Sequence, residues 1–311
     1  MPHPIPDCRI EPVGDFQFSF KLRDLEVTRW CYSPLVPRPY FFPVNGPSGR
    51  SLTRMGHPGA PNHDHHRSLW FAHNDLMGQD FWSENKPGCI AQKQWYVIQE
   101  SDESASIALE LHWTDGHDPK PLARQDVFVT LRPTGDTWSL ELQSDFRAGG
   151  EGVFFHKNNF GILGLRMAKS LSVVFGAGTI TGSNQLSGEK ALFGHANRWL
   201  DYSGPIAFGP DDQSVIEGLT LIDHRRNPNH PAKWHVRDDG WIGPSLSRDE
   251  DIALDPASPL TVRYLLCVHR GAVDAARTNQ LADAFDQRPA WRVVKGTKPH
   301  HQWELTQQPA P

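Results

Sequence analysis

Residues 106–142 read SIALELHWTDGHDPKPLARQDVFVTLRPTGDTWSLEL, and their hydrophobic pattern has a period of two. Ile107, Leu109, Leu111 and Trp113 alternate with small or polar residues. Val127, Val129 and Leu131 repeat the pattern, as do Trp138, Leu140 and Leu142. Clusters of Gly, Pro and Asp between these runs favour turns. Alternation puts every second side chain on one face of a strand, so the stretch predicts antiparallel strands with one buried face. The same period recurs in FQFSFKL (16–22), GLTLIDH (218–224) and LTVRYLLCVHRG (260–271).

One segment, VDAARTNQLADAF (273–285), instead spaces Val273, Ala276, Leu281 and Phe285 as a helix does, with Gly271 just before it. The 26 glycines and 26 prolines fall largely between the strand-like runs. No repeat or linker divides the chain. The expectation is an all-β fold, a single large antiparallel β-sandwich over residues 1–297 with few short helices. A peripheral tail follows at 298–311, rich in Gln and Pro, with Trp303 as an anchor.

The 311 residues carry a net charge of −5 and no basic block, so a phosphate backbone has no electrostatic footprint and nucleic-acid binding is not expected. Cys8, Cys31, Cys89 and Cys267 form no CxxC pair and suggest neither a disulfide scaffold nor a zinc ribbon. No apolar stretch reaches the roughly 18 residues that cross a bilayer, and the opening MPHPIPDCRIEPVG lacks the basic segment and apolar run of a signal peptide, so none is expected. A soluble cytoplasmic protein without a membrane partner is expected; composition leaves its oligomeric state open.

Candidate chemistry concentrates in NHDHHRSLWFAHND, residues 62–75, which holds four of the sixteen histidines. Read as extended chain, it puts His63 and His65 on one face and Asp64 and His66 on the other. An H-x-H pair can give two nitrogens to a divalent metal, so His63 and His65 are candidate ligands, with His73, Asp75 or a distant group as the third. Equally open are sugar binding or acid–base chemistry without a metal, and a purely structural loop. Arg67 is a candidate for binding a carboxylate or a developing oxyanion, and for keeping adjacent imidazoles neutral; its bland alternative is a salt bridge to Asp64 or Asp75. Trp70, Phe71, Phe81 and Trp82 add aromatic faces for sugar stacking, although Phe71 and Phe81 fit a core better.

A second cluster lies in IDHRRNPNHPAKWHVRDDG (222–240), with Asp223, His224, Asn227, His230, Trp234, His235 and Arg237. Alternation in KWHVR sets Trp234 and Val236 on one face and His235 and Arg237 on the other. Between the clusters, Lys157 and Arg166 are cations in strand-like runs, and Glu189, Trp199, Asp201 and Tyr202 offer a carboxylate or hydroxyl. The expected site has His65, His66, His73 and His235 as acid–base groups. Arg67, Asp75, Lys157, Arg166, Asp201, Asn227, Trp234 and Arg237 are its expected substrate contacts. It requires the two histidine–arginine segments to meet on one side of the molecule.

Four stretches, RPYFFPVNGPSG, HDHHRSLWFAHNDLMGQDFW, GEKALFGHANRWLDYSG and DHRRNPNHPAKWHVRDDG, resemble the bacterial family named PmoA, "methane oxygenase". They extend from about Arg38 to Gly240. The resemblance implies a galactose-mutarotase-like β-supersandwich with a carbohydrate ligand, and proximity to sugar dehydrogenases, hence oxidised sugars. That family's histidine segment reads Asp-His-Pro-His-His-Arg; here Asn62 replaces the acid, Asp64 the proline, and His156 stands where a further acid is expected. The family name does not describe an activity here, because a membrane methane monooxygenase subunit needs spanning helices.

A glycosidase of the ordinary kind needs two carboxylates about 5–9.5 Å apart, whereas these motifs are rich in His and Arg. The residues fit best an enzyme acting on a keto-sugar or its glycoside, in which a histidine takes the proton beside the ketone and a cation holds the enolate. Elimination, hydrolysis or epimerisation follows from the same step. An aldose 1-epimerase-like mutarotase and a non-catalytic carbohydrate-binding protein are the alternatives.

Overall fold

Strand formation follows the alternation throughout the computed structural model, which describes residues 5–57, 63–208 and 213–308. β1 (Cys8–Pro12), β2 (Gln17–Leu22), β3 (Leu25–Cys31), β4 (Tyr40–Val44) and β5 (Leu69–His73) lay down most of a first sheet. Four long strands then start a second: β6 (Cys89–Glu100), β7 (Ala105–Thr114), β8 (Ala123–Thr134) and β9 (Thr137–Ala148). After the short β10 (Val153–Phe155), β11 (Gly161–Arg166) returns to pair with β5. β12 (Thr179–Gly182), the single-turn α1 (Glu189–Leu192), β13 (Trp199–Phe208) and β14 (Gln213–Asp223) follow. β15 (Trp234–Arg237) and β16 (Trp241–Pro244) complete the first sheet, and β17 (Ile252–Leu254) pairs with β10. β18 (Leu260–Arg270) inserts between β14 and β9, α2 (Ala275–Asp286) follows, and β19 (Ala290–Lys295) pairs with β20 (Trp303–Gln308).

The first sheet has the order β1-β2-β3-β4-β5-β11-β16-β15, the second β12-β13-β14-β18-β9-β8-β7-β6, and every pairing is antiparallel. One apolar cluster joins Phe41, Leu69, Phe71, Leu163 and Leu165 of the first sheet to Leu109, Val127, Leu140, Leu221 and Leu266 of the second. The fold is therefore an all-β antiparallel sandwich. No helix among the described residues is long and apolar enough to cross a membrane.

β9 corrects the expectation of one buried face. Glu141, Gln143 and Asp145 are as buried as the leucines they alternate with. The segment leaving α2 covers them: Gln143 exchanges two hydrogen bonds with the Trp291 backbone (2.8 and 2.9 Å), Arg288 pairs with Glu141 (3.0 Å) and Arg292 with Asp145. Period-two polarity cannot distinguish a solvated polar face from one satisfied by a covering layer. α2 begins at Ala275 rather than Val273 because the Asp274 carboxylate caps it, accepting the Arg277 N–H at 3.0 Å. Its Ala282 and Phe285 pack on Trp199, Ile222 and Leu265. The β19–β20 hairpin joins residues on both sides of position 298, and Trp303 meets Tyr96 edge-on at 5.3 Å.

Candidate functional site: an imidazole-lined cavity on the outer face of the first sheet

Strand parity builds the floor of the site. β5, β11, β16 and β15 send Leu69, Phe71, Leu163, Leu165, Ile242, Trp234 and Val236 into the core. The alternate side chains, Trp70, Arg166, Trp241, His235 and Arg237, stand on the opposite face. Two cross-strand rows result. Arg166, Trp241 and Arg237 are register partners across three strands, and beside them run Trp70, Gly164, Gly243 and His235. Gly164 is required by the indoles lying over it: a Cβ there would come within 2.8 Å of ring carbons of both Trp70 and Trp241. Gly164→Ala is expected to cost about 1–3 kcal/mol, as overpacking does, and to change the near-ultraviolet circular dichroism of the tryptophans. An unchanged urea midpoint and spectrum would show that the floor tolerates the methyl.

The histidine segment forms a turn, not the extended chain expected. The His66 N–H donates to the His63 carbonyl at 3.1 Å, and the His66 carbonyl accepts the Gly56 N–H at 2.6 Å. The turn gathers the rings of His63, His65 and His66, with centroids 4.4–6.0 Å apart, and leaves Asp64 exposed. The His66 ring lies nearly parallel to Trp241 (5.2 Å, 19°) and Trp70 (5.8 Å, 28°). Beneath the turn, buried Arg38 donates to the His65 carbonyl at 3.0 Å.

These elements enclose a cavity of about 310 Å³. His63, His65 and His66 line it from the turn, and His235 and Arg237 from β15. Arg166, Asp239 and Trp241 contribute from the strands between, and Trp82 and Phe160 complete the aromatic wall. The two histidine–arginine segments thus open into one space. His235 packs against Phe160 (4.7 Å), Phe193 (5.2 Å) and Trp241 (5.8 Å). Burial, then the Arg237 and Arg248 charges, lowers the His235 pKa to about 4. Burial, then the Arg38 charge, brings His65 to about 4. His66 is driven lower still, by burial first and then by His65 and Arg166. All three are neutral at pH 7, and Nδ1 of His66 and of His235 is buried without a hydrogen-bond partner.

Arg166 is fully buried and holds Asp239 through two contacts (2.8 and 3.2 Å). Burial pushes the Asp239 carboxyl up, but the hydrogen bond and charge of Arg166, with the nearby His57 and His63, together outweigh this and keep it below the ordinary value. His57 Nδ1 accepts from both Arg166 and Arg54. Burial, reinforced by the Arg166 and Arg54 charges, lowers its pKa.

A family model described as a family of unknown function, DUF6807, matches residues 17–283. The chain belongs to this family. No curated protein matches it. Among solved structures it is similar to a galactose mutarotase-like protein from Clostridium acetobutylicum, at 9% identity and a TM-score of 0.42 over 85% of this chain and 99% of that one. It is also similar to a candidate aldose 1-epimerase from Escherichia coli K12, at 14% identity and a TM-score of 0.37 over 79% of this chain and 97% of that one. The comparisons do not repeat the PmoA name.

Several expected site residues of this DUF6807 member lie outside the cavity. His73 has core parity: its Nδ1 accepts the Asp75 N–H (3.0 Å) and its Nε2 meets Ser247 Oγ (2.7 Å). Asp75 closes a turn by accepting the Gly78 N–H at 2.8 Å. Arg67 forms a two-pronged pair with Glu84 (2.7 and 2.9 Å) and lies over Tyr40, so Arg38, Arg166 and burial, not Arg67, hold the imidazoles neutral. Its carboxylate partner is Glu84 rather than Asp64 or Asp75. Lys157 is exposed, with its backbone N–H on Asp251 at 2.6 Å. Asp201 belongs to the second sheet, where it binds Thr220 and His269, both at 2.7 Å. Asn227 ties its loop to Asp223 and the Arg263 backbone, each contact at 2.7 Å. Trp234 is core, with its indole N–H on the Asn197 carbonyl at 2.7 Å.

The expected lining residues that do meet are His63, His65, His66, Arg166, His235 and Arg237. Sequence reasoning missed Asp239, Trp241, Phe160 and His57. Continued alternation from His235 and Arg237 through Asp239 to Trp241 was the available signal. His63 and His65 lie side by side at 6.0 Å, but among the described residues no three His, Cys, Asp or Glu side chains are arranged to hold one metal ion. Asn62 lies outside the described residues.

Proposed function

We propose that the cavity binds a keto-sugar or its glycoside and catalyses proton abstraction beside the ketone, leading to elimination, hydrolysis or epimerisation. The observation that carries this reading is the pair His66 and His235. Both are neutral, buried and unpartnered at Nδ1, and both lie against Trp241 in a cavity whose lining carboxylate, Asp239, is committed to Arg166. That inventory suits enolate chemistry better than the paired carboxylates of a glycosidase.

His235 is the assigned base. A pKa of about 4 gives it roughly the basicity of a catalytic carboxylate, so it is competent without being protonated at neutral pH. It takes the proton from carbon next to the ketone, and the C–H electron pair moves to the carbonyl oxygen. His66, whose environment keeps it neutral, acts as an N–H donor to that oxygen, with Arg166 behind it. For elimination, the enolate re-forms the ketone and expels the glycosidic oxygen on the β-carbon. The proton from His235 passes to that leaving oxygen; addition of water to the resulting double bond completes hydrolysis. For epimerisation, the proton returns to the opposite face of the carbon.

The test is incubation with 3-keto-glycosides in D₂O, followed by NMR, with and without a chelator. Consumption of the glycoside, or deuterium incorporation next to the ketone, is expected. The absence of both events would overturn the reading. Anomerisation of plain aldoses would assign a mutarotase instead, and binding alone a carbohydrate-binding protein. Loss of turnover on chelation, with recovery on adding a divalent cation, would give His63 and His65 a ligand role. The pH profile is a second prediction. Because the base works when neutral, kcat/KM per folded molecule should hold as pH falls past 6.5, through the range in which the sandwich stays folded, with its own decline only near the His235 value of about 4. An acid limb centred near 6.5 would remove His235 as the base.

A further inference from the structure

We infer that the sugar bound in this cavity carries a carboxylate, as a uronic acid or its glycoside does, and that the Arg166–Trp241–Arg237 row receives it. The inference rests on the carbohydrate reading above and narrows its substrate class. It comes from an imbalance between donors and acceptors. Arg166 Nε and the indole nitrogens of Trp82 and Trp241 are buried N–H donors without acceptors, and all three side chains line the cavity at 3% exposure or less. Arg and Trp nitrogens can only donate. The carboxylate and amide acceptors in the same lining are committed: Asp239 holds Arg166, and Asn74 Oδ1 accepts from Asn158 at 3.0 Å; each neutral imidazole brings one donor with its one acceptor and leaves the excess of donors unchanged. Buried donors left unmatched are costly; such donors occur elsewhere in the described residues too, but these three border one space large enough for a ligand, which marks a position for an acceptor-rich group.

Charge points the same way. Beside the cavity lining, Arg54 and Arg166 converge on His57, which remains neutral, and Asp239 is the carboxylate that compensates them. Arg237 adds a cation at the mouth; it is half exposed and shared with Glu189 (2.7 Å). Arg166 and Trp241 are directly opposed across two strands and Trp241 and Arg237 across the next, so their donors share one sheet face. A planar carboxylate offers two oxygens to such a row, and charge-assisted hydrogen bonds are roughly twice as strong as neutral ones. A neutral sugar's hydroxyls can accept from these donors, but each brings an O–H of its own that also needs a partner and none adds charge assistance, so it relieves the mismatch less well.

The test uses unreactive ligands, so it does not depend on turnover. Binding of methyl glucosiduronic, galactosiduronic and mannosiduronic acids is compared by calorimetry at pH 7 with that of the corresponding neutral methyl glycosides. At least one acid is expected to bind about tenfold or more tightly than its neutral partner, with the gap narrowing in added salt. Trp241→Phe keeps the ring and removes the N–H, and should reduce the gap severalfold; Trp82→Phe serves if that variant does not fold. Equal binding within every pair, or no binding by any of the acids, overturns the inference even if keto-glycosides are turned over. Preference for an acid without keto-glycoside turnover sustains it while removing the proposed reaction.

Discussion

His235→Ala is expected to lower kcat/KM on a keto-glycoside by about 10²–10⁴-fold, the usual contribution of a positioned acid–base group, while leaving the fold intact. The ring faces the cavity and is bounded by Phe160, Phe193 and Trp241, so truncation enlarges an existing space rather than opening a void between the sheets. Its backbone stays in register with Gly243 on β16. Far-ultraviolet circular dichroism should therefore be unchanged, with a stability loss no larger than about 1–3 kcal/mol from lost ring packing. Free imidazole, small enough for the vacated volume, should restore part of the rate. His66 requires a different substitution, because alanine would remove the ring stacked on Trp70 and Trp241. His66→Phe keeps the stack and removes the nitrogen that donates to the enolate; a loss of about 10²–10³-fold is expected, typical of an oxyanion donor. Full activity in either folded variant would discard the assignment for that residue. Full activity in both would remove His66 and His235 from the chemistry and leave His63 and His65 as the imidazoles of the cavity.

The fold was legible because the strands alternate, and the same alternation in KWHVR sets His235 and Arg237 opposite Trp234 and Val236. Period two separates the faces of a strand but does not say which face meets the other sheet. LWFAH shows the difficulty. Trp70 and Ala72 face outward, whereas His73 shares the core parity of Leu69 and Phe71 and is held by Ser247, 174 residues away. Nothing local in the sequence separates that structural histidine from His66. The Arg166–Asp239 pair spans 73 positions and exists only because β11 and β16 are neighbours in the sheet. Arg67 was misread for a related reason: its bidentate partner Glu84 lies beyond the segment in which a local partner was sought. The tight turn at 63–66 is set by bonds to Gly56 and Arg38, which a reading of extended chain has no means to anticipate.

Acid should unfold this protein well above the pH at which its carboxylates protonate. His73, His224 and His235 are each at least 96% buried, and burial lowers their pKa values to about 4, 3 and 4. In the unfolded chain each returns to about 6.5. Below that value the unfolded state binds protons that the native state refuses. The neutral-histidine stability is therefore fully present above pH 6.5 and is lost as pH falls toward the folded values. One proton of difference corresponds to about 1.4 kcal/mol per pH unit, so these three residues set a slope of about 4 kcal/mol per unit. Against a total stability of about 5–15 kcal/mol, two pH units consume much of what holds the fold. His269 has the opposite sign. Burial lowers its pKa, but the hydrogen bond and charge of Asp201 together with backbone hydrogen bonds outweigh that and leave it raised, so its contribution is present below 6.5 and fades as pH rises through the folded value. Its pH dependence lies above 6.5, so the slope below that value belongs to the buried neutral histidines. Urea unfolding followed between pH 7.5 and 4.5 should show a midpoint that drops steeply below about 6.5. His73→Asn provides the internal check, because a side-chain oxygen can accept the Asp75 N–H without titrating. The variant should be less stable at pH 7 and should show a shallower slope by about one proton. A midpoint independent of pH across that window, or an unaltered slope in His73→Asn, would mean that the buried imidazoles become charged without unfolding the sandwich.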